Sequence, residues 1–135
     1  MDGGGLIIQE IKVDINIRED NIMGAHDCTV FKIGRYRDAS QAYAEAVREA
    51  EYEHGHDGYN GTISTSDGFI IKKEHPRFGT QAFEKFEDKT IVGTKWKKWN
   101  CIELKGAILK RYKKQYGYKG KRNIKAFYFW GLAAS

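Results

Sequence analysis

The sequence predicts an α+β fold: a mostly antiparallel sheet with one main helix packed on it and one or two shorter helices. Three stretches carry that expectation. Residues 6–17 alternate between apolar and polar, residues 38–54 repeat with the period of a helix, and residues 124–134 form an apolar run of strand length. At 135 residues the chain is expected to be a single domain, 1–135. Its 41% hydrophobic and 13% aromatic residues are enough for a core, which excludes a disordered tail.

The elements follow in order. In Leu6–Ile17, Ile7, Ile11, Val13, Ile15 and Ile17 share one face, with Lys12, Asp14 and Asn16 on the other. Arg18–Asp27 reads as a polar connection. Cys28–Ile33 is a second, β-branched strand, ended by Gly34 and able to pair antiparallel with the first. Asp38–His54 is the clearest helix: Asp38 caps it and Gln41 completes a capping box, with Ser40 as a competing cap. Tyr43, Ala46, Val47, Ala50 and His54 fall on one face, and the alanines predict close packing onto a sheet. Gly55 stands where a left-handed cap ends a helix.

Thr62–Thr65 and Phe69–Lys72 read as the arms of a hairpin around Ser66-Asp67-Gly68. His75-Pro76 breaks the pattern. Thr80–Asp88 predicts a short helix with Phe83 and Phe86 inward, and Thr94–Leu104 a strand with Trp96 and Trp99 among lysines. Ala107–Tyr116 predicts a basic helix, Gly117–Lys121 a loop, and Ile124–Ala134 a final strand too apolar for exposure on both faces.

Two cysteines, Cys28 and Cys101, are more in keeping with reduced thiols than with a disulfide scaffold. The N-terminus shows no basic region followed by an apolar run, and no apolar stretch approaches the length of a membrane span. The expectation is a cytoplasmic protein with no membrane partner. Net charge is +5, but it is unevenly spread. Residues 1–94 carry 11 Lys/Arg against 17 Asp/Glu, a net of −6, whereas residues 95–135 carry 12 against one acid, Glu103, a net of +11. Such separation points to a polyanionic partner near the C-terminal part, or to neutralisation across the folded surface or between subunits of a homo-oligomer.

Chemistry concentrates in two places. The first is the segment from His54 to Phe69. His54, His56 and Asp57 have the chemistry of an acid/base set or of a metal site, although their spacing matches no zinc motif; His54 can equally finish the helix, with His56 in solvent. No metal and no cofactor is therefore assigned. Tyr59, Asn60, Thr62 and Thr65 can shape a pocket, Tyr59 by stacking and a threonine by donating to phosphate; the alternative is a solvent-facing Thr/Ser strand edge. No Gly-Lys-Ser/Thr follows the glycines, which excludes a P-loop nucleoside triphosphatase. The second place is Lys95-Trp96-Lys97-Lys98-Trp99 together with Arg111, Lys113 and Lys114. Cations there can neutralise phosphates while aromatic faces stack bases, unless the tryptophans belong to the core. No RNP, KH, helix-turn-helix or zinc-finger signature is present.

The segment Tyr59-Asn60-Gly61-Thr62-Ile63 behind an alanine-rich helix ending in His-Gly, with the closing Phe127-Tyr-Phe-Trp-Gly131-Leu-Ala-Ala, is similar to small proteins encoded in bacteriophage and prophage genomes. The resemblance covers about half of the chain and implies a phage-associated accessory protein that binds a host factor, including defence components or their nucleotide signals. The expected function is binding of an anionic ligand, a nucleotide or nucleic acid. The alternatives are a phosphodiesterase or nucleotide hydrolase using His54, His56 and Asp57, and a protein inhibitor of a host protein.

Overall fold

The last strand organises the molecule. The structure, a computed structural model, describes residues 24–135; the strand expected over 6–17 lies outside the described residues. Strand β4 (Lys125–Ala134) is buried along all but its first residue, because it is central in the sheet and covered on both faces. Its side chains alternate as a pleat requires. Phe127, Phe129 and Ala133 enter one core layer, and Ala126, Tyr128, Trp130 and Leu132 enter the other.

Strand β1 (Ala25–Gly34) runs antiparallel to β4 from Ala25 opposite Ala134 to Gly34 opposite Lys125. It begins earlier than Cys28, so Ala25–Asp27 belongs to the strand and not to a connection. On the other side of β4, β3 (Trp99–Leu104) is antiparallel, with Asn100 opposite Trp130 and Leu104 opposite Ala126. The short β2 (Phe69–Ile71) lies parallel to β3, which makes the sheet mixed, in the order β1-β4-β3-β2. The fold is α+β, as expected.

Helix α1 (Ala39–His54) covers the first layer. Asp38 accepts the Gln41 N–H at 3.0 Å, while the Gln41 side chain accepts the Arg37 N–H at 2.6 Å, one residue before the cap. Gly55 has φ +87 and donates to Glu51 O at 2.8 Å, ending the helix in the left-handed region. Ala39, Ala42 and Ala46 are the buried positions, and side chains this small let the helix backbone approach the sheet. At the β1 edge, Lys32 Nζ bridges Glu45 (3.2 Å) and Glu49 (2.7 Å) of α1. Burial opposes the charge on Lys32, but Glu49 and Glu45 outweigh it and hold the pKa above the ordinary lysine value.

Helices α2 (Gln81–Thr90) and α3 (Gly106–Gln115) cover the second layer. Thr80 caps α2 by accepting the Phe83 N–H at 3.2 Å. Phe83 is buried and meets Tyr128 and Trp130 edge-on at 6.0 and 5.4 Å between centroids. Glu87 is buried and accepts the Tyr128 hydroxyl at 2.6 Å, and Trp130 Nε1 donates to Thr90 Oγ1 at 2.9 Å.

Two expected elements differ. Thr62–Thr65 is not a hairpin arm: Ile63–Thr65 forms one 3-10 turn, with Thr62 Oγ1 accepting the Ser64 N–H at 3.2 Å. Local hydroxyl-to-backbone bonds compete with strand formation, and here they prevail. Phe69–Ile71 pairs with β3 instead. Residues 94–98 are likewise turn, not strand, with Lys97 N–H donating to Thr94 O at 2.9 Å.

Among the described glycines, Gly131 of β4 is the most closely approached, by Trp99 of β3. A Cβ built on Gly131 would stand 2.3–2.4 Å from three atoms of the indole ring, a distance no relaxed contact allows. Gly131→Ala is expected to destabilise the fold by about 3 kcal/mol or more, in the upper range of overpacking substitutions. Urea denaturation of the variant beside wild type checks this; equal midpoints would mean that the indole can move aside.

Candidate anion-binding site

Beyond β2 the chain stays on β3 for one more residue, Lys72 N–H donating to Cys101 O at 2.7 Å, and then loops through residues 73–80 to the start of α2. Thr80 Oγ1 donates to Arg77 O at 2.6 Å, fixing the loop just before the helix. His75 Nδ1 lies 2.7 Å from Pro76 O, and its ring stands edge-on to Phe83 at 6.1 Å. Facing this loop, β3 ends in Glu103 and Leu104 and passes through Lys105 into α3.

Between them is a cleft of about 1050 Å³, just above the usual range of small-ligand sites. Its apolar surface comes from Ile71, Phe78, Leu104 and Ile108, and its charge from Lys72, Lys73, Arg77, Lys105 and Arg111 against Glu103 alone. Glu103 lies 4.0 Å from Lys105 Nζ, and the Arg111 guanidinium lies 5.4 Å from the Tyr112 ring centroid. Lys105 is the N-cap of α3 and makes no side-chain cap bond, and the first turn holds no acid. The positive end of the helix therefore adds to the field of the side chains. Such a surface can hold the phosphates of a ligand and pack against its less polar part.

Of the expected ligand residues, only Arg111 lines this cleft. The basic aromatic region expected as one surface is divided by β3: residues 95–98 precede the strand and Arg111, Lys113 and Lys114 follow it. At the rise of an extended chain, the strand itself spans about 17 Å between the two. Trp99 is fully buried and presents no face to a base. Trp96 and Tyr59 are exposed and meet edge to face, 5.1 Å between centroids. Lys97 and Lys98 are exposed and Lys95 half-buried. Lys113 Nζ donates to Lys121 O at 2.7 Å, and Lys114 is exposed.

The threonines expected to donate to phosphate serve the backbone. Asn60 Nδ2 donates to Gly55 O (2.8 Å) and Ser64 Oγ (2.7 Å), and its Oδ1 accepts from Thr62 N–H (3.0 Å) and Thr62 Oγ1 (2.7 Å). Thr65 is buried; its hydroxyl donates to Thr62 O at 2.9 Å and accepts the Ala134 N–H at 3.1 Å. His54, His56 and Asp57 do not converge. His54 Nε2 lies 3.8 Å from Glu53 and His56 Nδ1 3.6 Å from Glu51, both exposed, and Asp57 accepts the Tyr59 N–H at 3.1 Å. Among the described residues no three metal-ligating side chains are grouped to hold an ion.

Both cysteines are free. They lie on strands separated by β4, Cys28 opposite Gly131 and Cys101 opposite Phe129. That places them roughly 10 Å apart, beyond disulfide reach. Burial pushes both thiols up to about 12, with Asp27 adding to the effect at Cys28 and Glu103 at Cys101.

Lys72, Lys73, His75, Arg77 and Lys105 were absent from the sequence-based site. Their signal is the run Lys72-Lys73-Glu74-His75-Pro76-Arg77, a basic cluster around the only proline, which reads as a break. Comparison with protein-family models, curated proteins and solved structures gave no match. No helix among the described residues is long and apolar enough to cross a membrane.

Thr65→Val should cost about 1–3 kcal/mol by orphaning the Ala134 N–H, as read in thermal or urea melts. His56→Ala, on an exposed loop, should stay within about 0.5 kcal/mol of wild type. A thiol-reactive disulfide at pH 8 should label neither cysteine of the native protein within minutes yet label both in denaturant, in keeping with thiols held near 12.

Proposed function

We propose that the chain is a binding protein for a phosphate-bearing anion, a nucleotide or nucleic acid, and that the cleft between the 72–80 loop and α3 receives the phosphate. The observation that carries this reading is a concavity lined by five Lys/Arg side chains and one carboxylate together with apolar residues. Buried apolar surface and a few placed charges are what small-ligand sites share. Arginine forks suit phosphate oxygens better than lysine does, and both Arg77 of the loop and Arg111 of α3 line the cleft. Binding is favoured over hydrolysis because His54, His56 and Asp57 each engage a different neighbour. On the resemblance to phage-encoded proteins, the ligand would be a host nucleotide or nucleic acid removed from use by capture.

ATP serves as a polyanionic probe for calorimetric titration at low ionic strength. Binding should weaken steadily as salt is raised. Arg77→Glu combined with Arg111→Glu should abolish it while leaving the melting temperature within a few degrees of wild type, since both side chains are exposed. An affinity indifferent to both reversals would remove the cleft as the site.

A further inference from the structure

Two residues other than glycine have a left-handed backbone among the described residues, Asn123 with φ +62 and Trp96 with φ +64. Asparagine tolerates that region through local hydrogen bonds; tryptophan gains nothing of the kind and carries the strain of its Cβ. Burial compensates only in part, because Trp96 remains 42% exposed while Trp99 and Trp130 are fully buried. An outlier held at the surface is a reason to look for a function there.

The surroundings hold the ring in place. Lys97 N–H bonds to Thr94 O (2.9 Å) and Asp67 N–H to Lys97 O (2.9 Å), fixing the turn from both sides. Thr94 is itself tied to β4, its hydroxyl accepting the Leu132 N–H at 2.7 Å. Gly58 lies against the indole, its missing Cβ 3.5 Å from Cη2. Tyr59, 59% exposed, meets the ring at 89°, and its own backbone is held by Asp57. Lys97 and Lys98 follow, both exposed. The result is a pre-ordered aromatic corner beside two exposed cations.

We infer that Trp96 and Tyr59 form a stacking platform for an unpaired base of single-stranded nucleic acid, with Lys97 and Lys98 meeting the adjacent phosphates. This deepens the anion-binding reading and rests on it. Every base offers a π-face, so recognition is by stacking and charge and tolerates sequence. A duplex keeps those faces covered. The platform and the basic cleft lie beyond opposite ends of β3, and a ligand reaching both must be a polymer and not a mononucleotide.

The test uses the intrinsic fluorescence of the full chain, because Trp96 is the one tryptophan of three that solvent reaches. An oligothymidylate should quench it, whereas a duplex of equal length and ATP should not. Trp96→Gly should lose the quenching and bind the oligothymidylate ~10-fold or more weakly, with affinity for ATP unchanged. Trp96→Phe, which keeps an aromatic face, should recover most of the binding. Trp96→Gly should melt within a few degrees of wild type, since the relief of left-handed strain offsets part of the lost contact with Gly58 and Tyr59. Oligothymidylate binding without quenching, or with the same affinity for the glycine variant, overturns the platform and leaves the cleft standing. Failure of both ATP and oligothymidylate to bind overturns the platform and the anion-binding reading together.

Discussion

An indole lying on a bare peptide backbone sets the geometry of this fold. Trp99 opens β3 and is fully buried; Gly131, on the neighbouring strand, has no side chain to keep it away. Burial of a side chain of this size removes on the order of 200 Å² of largely apolar surface from water. It does so despite leaving Nε1 without a hydrogen-bond partner among the described residues. The contact is thus held by apolar packing against a polar penalty. It also fixes the neighbours. The Trp99 N–H donates to Gly68 O at 3.0 Å, which docks the start of β2, and Asn100 opposite Trp130 sets the register of β3 on β4.

Past that point β4 continues, but β3 does not accompany it. The backbone N–H groups of Leu132 and Ala134 would be buried and unpaired, a costly condition. Thr94 and Thr65 supply the acceptors, at 2.7 and 3.1 Å, and Gly61 N–H donates to the Ala134 carbonyl at 2.7 Å. Side chains on two turns therefore do what a strand would have done. This accounts for buried threonines in an otherwise apolar region and for the turns on which Tyr59 and Trp96 are carried.

The sequence was most readable where one physical signal acts alone. The period of Ala39–His54, its Asp38 cap and the unbroken apolar run ending at Ala134 each led directly to an element. Where signals competed, the reading failed. Alternation in Thr62–Thr65 resembles a strand, but its hydroxyls and Asn60 close a turn on themselves. Trp96 and Trp99 look equivalent among lysines, yet one is exposed in a left-handed turn and the other is core. The difference rests on Gly131, far along the chain. Of the cleft only the basic run Lys72–Arg77 was legible, because Lys105 and Arg111 belong to a second segment that the parallel pairing of β2 with β3 brings beside it.

Among the described residues that pairing leaves β2 at an edge of the sheet, with Ile70 and Ile71 48% and 42% exposed. Open edges carrying branched apolar side chains are templates for strand addition from another molecule. Here the edge is three residues long and runs at once into Lys72-Lys73. Two adjacent cations repel a second copy laid along the same edge. The lysines that give the cleft its charge are thus also gatekeepers against aggregation. Neutralising them would remove the charge of the cleft and the repulsion along the edge by the same stroke.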